Sequence, residues 1–129
     1  MKKRFAIPLV LTALLAAAVF FLRTDPHAMA AKYANEYSHF AHSANGLSVH
    51  YRDQGNPDGT PIVLLHGNSA TLHTWETLAE RLGGKYRIIT LTLPGHGLTG
   101  PNANDDYTYA GMAHAVDLVA NDLGLSQFV

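Results

Sequence analysis

"PIVLLHGNSATLHTW", Pro61 to Trp75, is the stretch on which the reading of the chain turns. Ile62 to Leu65 are continuously apolar, the pattern of a strand buried on both faces. The run ends at His66-Gly67, breaks into small polar residues and resumes at Leu72 with helical spacing. Leu72, Trp75, Leu78, Ala79 and Leu82 share one face of a helix, with His73, Thr77, Glu80 and Arg81 opposite. Gly83-Gly84 predicts its stop. Gly67 lets the chain turn sharply, and Asn68-Ser69 then present backbone N–H groups before the helix starts. Free amides at the carboxyl end of a parallel strand can stabilise an oxyanion, although an ordinary strand-to-helix turn has the same composition.

Outward from that stretch, the alternation continues. On the N-terminal side, two short runs, Ser38–Ala44 and Leu47–Gln54, flank Asn45-Gly46, a strong hairpin signal. Asn56-Pro57-Asp58-Gly59 predicts a second turn. On the C-terminal side, Tyr86 to Leu93 read as another buried strand, followed by a Gly/Pro/Asn-rich loop from Pro94 to Asp106. A second amphipathic helix carries Met112, Val116, Val119 and Leu123 in register, with His114, Asp117 and Asn121 facing away and Gly124 as its stop. Ser126 to Val129 begin a further apolar run. Hairpin, strand, helix, strand, helix and strand start predict an α/β fold with a parallel sheet and helices on its faces.

The N-terminus reads differently. Lys2, Lys3 and Arg4 precede an uncharged stretch, Phe5 to Leu22, near the length of about 18 residues at which a spanning helix becomes possible. The expected organisation is therefore a transmembrane anchor or signal peptide over 1–22, a polar Ala-rich connector over 23–37, and a domain over 38–129. Basic residues before the span place the N-terminus in the cytoplasm and the domain outside. A cleaved signal, for which Ala28-Met29-Ala30 offers a small-x-small site, would make the product periplasmic or secreted. The net charge of −1 over 129 residues provides no basic face for nucleic acid, and the lack of cysteine excludes disulfides and thiolate metal sites.

Two motifs suggest other chemistries. "GHGLTG", with Gly95, Gly97 and Gly100, matches the dinucleotide fingerprint and follows a strand. That fingerprint needs a helix to begin there, whereas Pro101 to Asp106 has loop composition. His39 and His42 form the closest histidine pair, but their spacing on a strand puts them on opposite faces, and no other cluster has metal-ligand spacing. Neither a metal nor a cofactor is expected.

"VLLHGNSATLHTW" followed by "RIITLTLPGHGLTG" resembles the α/β-hydrolase superfamily, in particular its esterase, dehalogenase, epoxide-hydrolase and C–C hydrolase branch. The resemblance covers about Phe40 to Val129. It implies an α/β-hydrolase fold beginning with the hairpin and continuing as parallel βαβαβ. It implies an oxyanion hole made by backbone N–H groups of Gly67 and Asn68, with Ser69 beside them, and a structural role for His66. Pro94, Gly95 and Gly97 match the family's loop after the fourth strand. In dehalogenase-like members an Asn at the place of Asn68 also helps to hold halide. Trp75 falls where an aromatic is common, and core packing is its expected role. The family commonly has Asp two residues before the loop's Pro, where this chain has Thr92.

The family's G-x-S-x-G nucleophile elbow should follow the fifth strand, a few residues past Val129. It does not occur in the chain, nor do the acid and base that come later. No catalytic nucleophile, acid or base is therefore assigned. The expectation is an N-terminal fragment of a serine-type or Asp-nucleophile hydrolase, acting on a small-molecule ester, amide or related bond and held at the membrane by its first helix. The alternative is a non-catalytic binding or scaffolding remnant of the same fold.

Overall fold

The computed structural model describes Thr12 and residues 25–129 other than Ala103. Apart from Thr12, the apolar stretch Phe5–Leu22 lies outside the described residues; among those described, no helix is long and apolar enough to cross a membrane. The chain divides into two compact units, Met1–Lys32 and Tyr33–Val129. Helix α1, Pro26–Tyr33, occupies most of the expected connector and buries none of its residues. Asp25 caps it by accepting the His27 N–H at 2.9 Å, and Pro26 stands at the first helical position, where no N–H is needed.

The second unit is built on a four-stranded sheet of β1 (Ser38–His42), β2 (Ser48–Gly55), β3 (Pro61–Leu65) and β4 (Arg87–Leu91), in the order β1-β2-β4-β3. The hairpin forms at Asn45-Gly46 as expected, pairing Ser38 with Arg52 and His42 with Ser48. The expectation of a parallel sheet needs correction. β2 runs antiparallel to β4 as well as to β1, and among the described strands only β3 and β4 are parallel, so the sheet is mixed. The hairpin's second strand is central, and its alternate residues fill both faces of the sheet.

Val49, Tyr51, Ile89 and Leu91 point to one face, where Ala115 and Val119 of helix α3 (Tyr109–Asp122) close the core. His50, Arg52, Ile88 and Thr90 alternate to the other face and are also buried. That face is covered by the segment after β3, expected as one helix from Leu72. It is instead a 3₁₀ turn, Leu72–Trp75, leading into a short helix α2, Glu76–Leu82. Leu72 and Ala79 are its buried residues, while Leu78 lies on the surface.

α2 stops at Gly83-Gly84 as expected, with Gly83 in a right-handed conformation at φ −60°. The reason for glycine there is close approach. A Cβ on Gly83 would stand 3.2 Å from the Gly55 Cα, and one on Gly55 would meet the Tyr86 carbonyl oxygen at 2.5 Å. Helix α3 stops before Gly124 as expected, and its start is capped. Thr108 Oγ1 accepts the Gly111 N–H at 3.2 Å, and beyond Leu123 the N–H groups of Gly124 and Leu125 return to the carbonyls of Asn121 and Ala120.

β3 was expected to be buried on both faces. It is only half-buried, and Leu65 is 45% exposed, because β3 lies at the border of the sheet. Its outer side is met by Val129, whose N–H donates to the Pro61 carbonyl at 3.0 Å and whose carbonyl accepts the Val63 N–H at 2.7 Å. Bracketing Ile62 in this way is the hydrogen-bond pattern of a parallel pair.

Candidate functional site

At the carboxyl end of β3 the chain leaves the sheet at His66 and turns through Gly67, Asn68 and Ser69 before the 3₁₀ turn. His66 is buried. Its Nε2 accepts the Leu93 N–H at 2.9 Å, which places the ring proton on Nδ1, and Nδ1 donates to the Gly67 carbonyl at 2.8 Å. One imidazole therefore joins the ends of β3 and β4 and fixes the first peptide of the turn. The backbone N–H groups of Gly67, Asn68 and Ser69 donate to no acceptor among the described residues. Ser69 has φ 57°, a left-handed conformation that residues other than glycine adopt at a cost and that concentrates at functional turns.

The loop after β4 buttresses this turn. Pro94 is buried, and the Gly95 N–H donates to the Gly100 carbonyl at 2.6 Å while the Gly100 N–H returns to His96 at 3.1 Å. Gly97, at φ 43°, packs against the methyls of Thr71 and Thr92, where a Cβ would stand 3.0 and 3.2 Å away. Thr92, in the place where the family commonly has Asp, is buried and accepts the Leu72 N–H at a long 3.4 Å. No helix follows Gly100; the next begins at Tyr109, so the glycines close a loop and frame no pyrophosphate site. His39 and His42 are both exposed on β1. Among the described residues no group of three or more His, Asp or Glu side chains is placed to hold a metal ion.

The turn opens on a cleft of about 660 Å³ lined by His66, Gly67, Asn68, Leu93, His96, Tyr107, Thr108, Tyr109 and Met112. Gly67 and Asn68 are thus brought together over one cavity with His66, whereas Ser69, Pro94, Gly95 and Gly97 do not line it. Tyr107, Tyr109 and His96 were not foreseen. Tyr107 packs its ring on Gly95, where a Cβ would be 3.1 Å from it, and its hydroxyl accepts the Asn102 N–H at 3.0 Å. Asp106 shapes the same loop by accepting from Thr108, and those bonds hold its carboxyl below the usual range. Nothing in the periodicity of "NANDDYTY" marks an aromatic that folds back onto a glycine.

On the sheet's other face, a polar cluster around the buried Arg52 anchors the segment that follows the turn. Arg52, on β2, donates to Glu76 at 2.7 Å and to the Tyr33 carbonyl at 3.1 Å, and His73 bonds the same Glu76 oxygen at 2.7 Å. These two partners, His73 first, hold the Glu76 carboxyl below the usual range. His50 is brought down to about 4 by burial, then by the Arg52 charge and His73. Trp75 is half-buried beside this cluster in sequence, and its indole N–H is buried without a partner among the described residues.

Residues 60–129 match the family model of the alpha/beta hydrolase fold. A haloalkane dehalogenase from Mycobacterium marinum is 42% identical over 65 residues, covering 49% of this chain and 22% of the dehalogenase. The structure of an esterase from Rhodococcus sp. ECU1013 superposes with a TM-score of 0.64 at 33% identity, over 70% of this chain and 34% of the esterase. A membrane phospholipase A, described as a bacterial virulence factor, matches 98% of this chain and 42% of its own, at 26% identity and a TM-score of 0.66. The chain thus spans well under half the length of each of these relatives.

Proposed function

The chain belongs to the α/β-hydrolase fold family, and on that premise we propose that it is the N-terminal part of a hydrolase cleaving an ester, amide or related bond through a covalent intermediate. The observation that carries this reading is the turn Gly67-Asn68-Ser69, whose N–H groups lack acceptors among the described residues beside an open cleft. A substrate carbonyl oxygen seated against the Gly67 and Asn68 amides gains negative charge when a nucleophile attacks its carbon. Preorganised amides there stabilise the developing oxyanion. His66, with both ring nitrogens bonded to backbone, has no free nitrogen to act as a base; its role is to hold the turn.

Val129 supports placing the nucleophile in the chain beyond it. A strand continued from Val129 in step with Ile62 reaches the level of Leu65 three residues on. The turn after such a strand would arrive against Gly67 and the cleft, the position required of a serine or aspartate attacking a carbonyl held there. Such chemistry calls on no cofactor. The apolar segment before the connector would tether the domain to a membrane, a reading that gains support from the match of 98% of this chain to a membrane phospholipase A. The substrate would be a small molecule or lipid bearing the scissile bond.

The test is a pair of substitutions in the full-length protein. Asn68→Pro removes one backbone donor and should lower kcat by about 10²–10³-fold. Asn68→Ala keeps that N–H and should cost far less. Equal losses would show that the Asn68 side chain, not its amide, is what matters; no loss from either would exclude the turn as an oxyanion hole.

A further inference from the structure

The cleft contains two imidazoles, and they are engaged differently. His66 spends both ring nitrogens on backbone groups. His96 spends one: its Nδ1 lies 3.1 Å from the Pro94 carbonyl, an acceptor only, so Nδ1 carries the proton of the neutral ring. Its Nε2 is then a lone-pair acceptor. That atom has no partner among the described residues, nor is it among the buried unsatisfied atoms, so it is open to solvent. The ring stands edge-on to His66, with centroids 5.0 Å apart, on a loop closed by the bonds between Gly95, His96 and Gly100. It is therefore a fixed acceptor beside His66, the ring that holds the Gly67 carbonyl.

Among the other lining residues, the Asn68 carboxamide and the exposed Tyr109 hydroxyl are the polar side chains without a partner among the described residues. Leu93 and Met112 are apolar, the Tyr107 hydroxyl is occupied by Asn102, and the Thr108 hydroxyl is used by Asp106 and Gly111. Among the described residues no Asp, Glu, Lys or Arg lines the cleft. A substrate entering it meets apolar surface, the amides of the turn, the side chains of Asn68 and Tyr109, and the imidazole of His96.

We propose that His96 is a specificity-determining residue, whose Nε2 accepts a hydrogen bond from a hydroxyl or N–H group borne by the substrate close to the scissile carbonyl. The inference rests on the hydrolase reading above and names the substrate class that reading leaves open: uncharged esters or amides with a donor near the reacting carbon. An acceptor fixed in an apolar cleft favours such substrates, because a substrate without the donor strips water from Nε2 and returns nothing.

The experiment compares p-nitrophenyl butyrate with p-nitrophenyl 3-hydroxybutyrate as substrates of the full-length protein. Wild type should show the higher kcat/KM on the hydroxyacyl ester, by about three- to tenfold, the usual worth of one neutral hydrogen bond. His96→Leu should bring that ratio close to one. His96→Gln, which can present an amide oxygen near the place of Nε2, should restore most of it. A wild-type ratio near one, a quantity that needs no variant to fold, would overturn the proposal. So would a His96→Leu enzyme in which both esters slow equally, the mark of a structural role. Absence of turnover of either ester by wild type would remove the hydrolase reading and this inference together, which separates the two failures.

Discussion

The Leu93 N–H donates to Nε2 of His66 at 2.9 Å, so that one imidazole ties the end of β4 to the turn after β3. The other ring nitrogen holds the Gly67 carbonyl, the peptide that leads into the open amides. Replacing His66 with Ala removes two backbone hydrogen bonds at a buried site. The expected cost is about 1–3 kcal/mol of stability, with a loss of kcat through a displaced Gly67-Asn68. Denaturant unfolding and steady-state kinetics on the full-length protein check this. A large fall in activity with unchanged stability would instead assign His66 a direct chemical role.

Much of this region was legible in the sequence because its signals are local. An apolar run, a small-residue break and a helical stripe follow one another between Pro61 and Leu82, and each is read by a period or a turn residue. What was not legible depends on partners far along the chain. The Arg52 side chain reads as a polar position of a hairpin, yet it is buried because Glu76 and the Tyr33 carbonyl come to it from two other elements. Gly83 reads as a helix stop, but its reason is Gly55, across the sheet's lower end. β3 reads as buried on both faces because its composition anticipates neighbours; of these, only Val129 stands at its outer edge among the described residues. Likewise, His96 and Tyr107 look like loop residues until the loop closes back on Gly95.

The contact between Gly55 and Gly83 supplies a second prediction. A methyl on Gly55 would meet the Tyr86 carbonyl oxygen at 2.5 Å and would sit on a backbone at φ 90°. Gly84, one residue from Gly83, has nothing within 4 Å of such a methyl. Gly55→Ala should therefore destabilise by about 2–4 kcal/mol, by overpacking plus strain. Gly84→Ala should stay within about 0.5 kcal/mol of wild type. Thermal unfolding of the two variants decides it, and comparable losses would mean that the contact is not tight.

His50 predicts a pH dependence. Burial, then Arg52, then His73 bring it from 6.5 to about 4 in the folded state. Between those values the unfolded chain binds a proton that the folded one does not, so this contribution is full above pH 6.5 and is lost as pH falls towards 4. Linkage bounds the loss at about 3 kcal/mol. Carboxylates titrate over the lower part of the same range, so the quantity to measure is a difference. Urea unfolding from pH 7.5 to 4.5 should show wild type losing more stability than His50→Gln, whose amide can still bond Ser38 without titrating. Parallel profiles for the two proteins would rule out His50 as a source of the acid sensitivity.

The final prediction concerns residues 33–129 expressed alone. β3 has Val129 as its outer partner among the described residues, and Leu65 is 45% exposed. Beside that edge, Leu65, Leu93, Met112 and Val116 help to line a second recess of about 450 Å³, continuous in residues with the main cleft. A chain of this size buries only about two-thirds of its surface, and an apolar recess beside an open strand edge promotes association. The isolated unit should bind a hydrophobic dye, associate with rising concentration and unfold without a sharp transition. It should also fail to turn over p-nitrophenyl esters. None of Ser38, Ser43, Ser48, Ser69 and Ser126 lines the cleft. Oxyanion donors without an activated nucleophile leave at most about 10³–10⁴-fold over water, and that in a complete site. A cooperative transition in a monomer would contradict the folding half. Ester turnover abolished by a serine-directed organophosphate would contradict the catalytic half, because it would reveal a nucleophile within these residues.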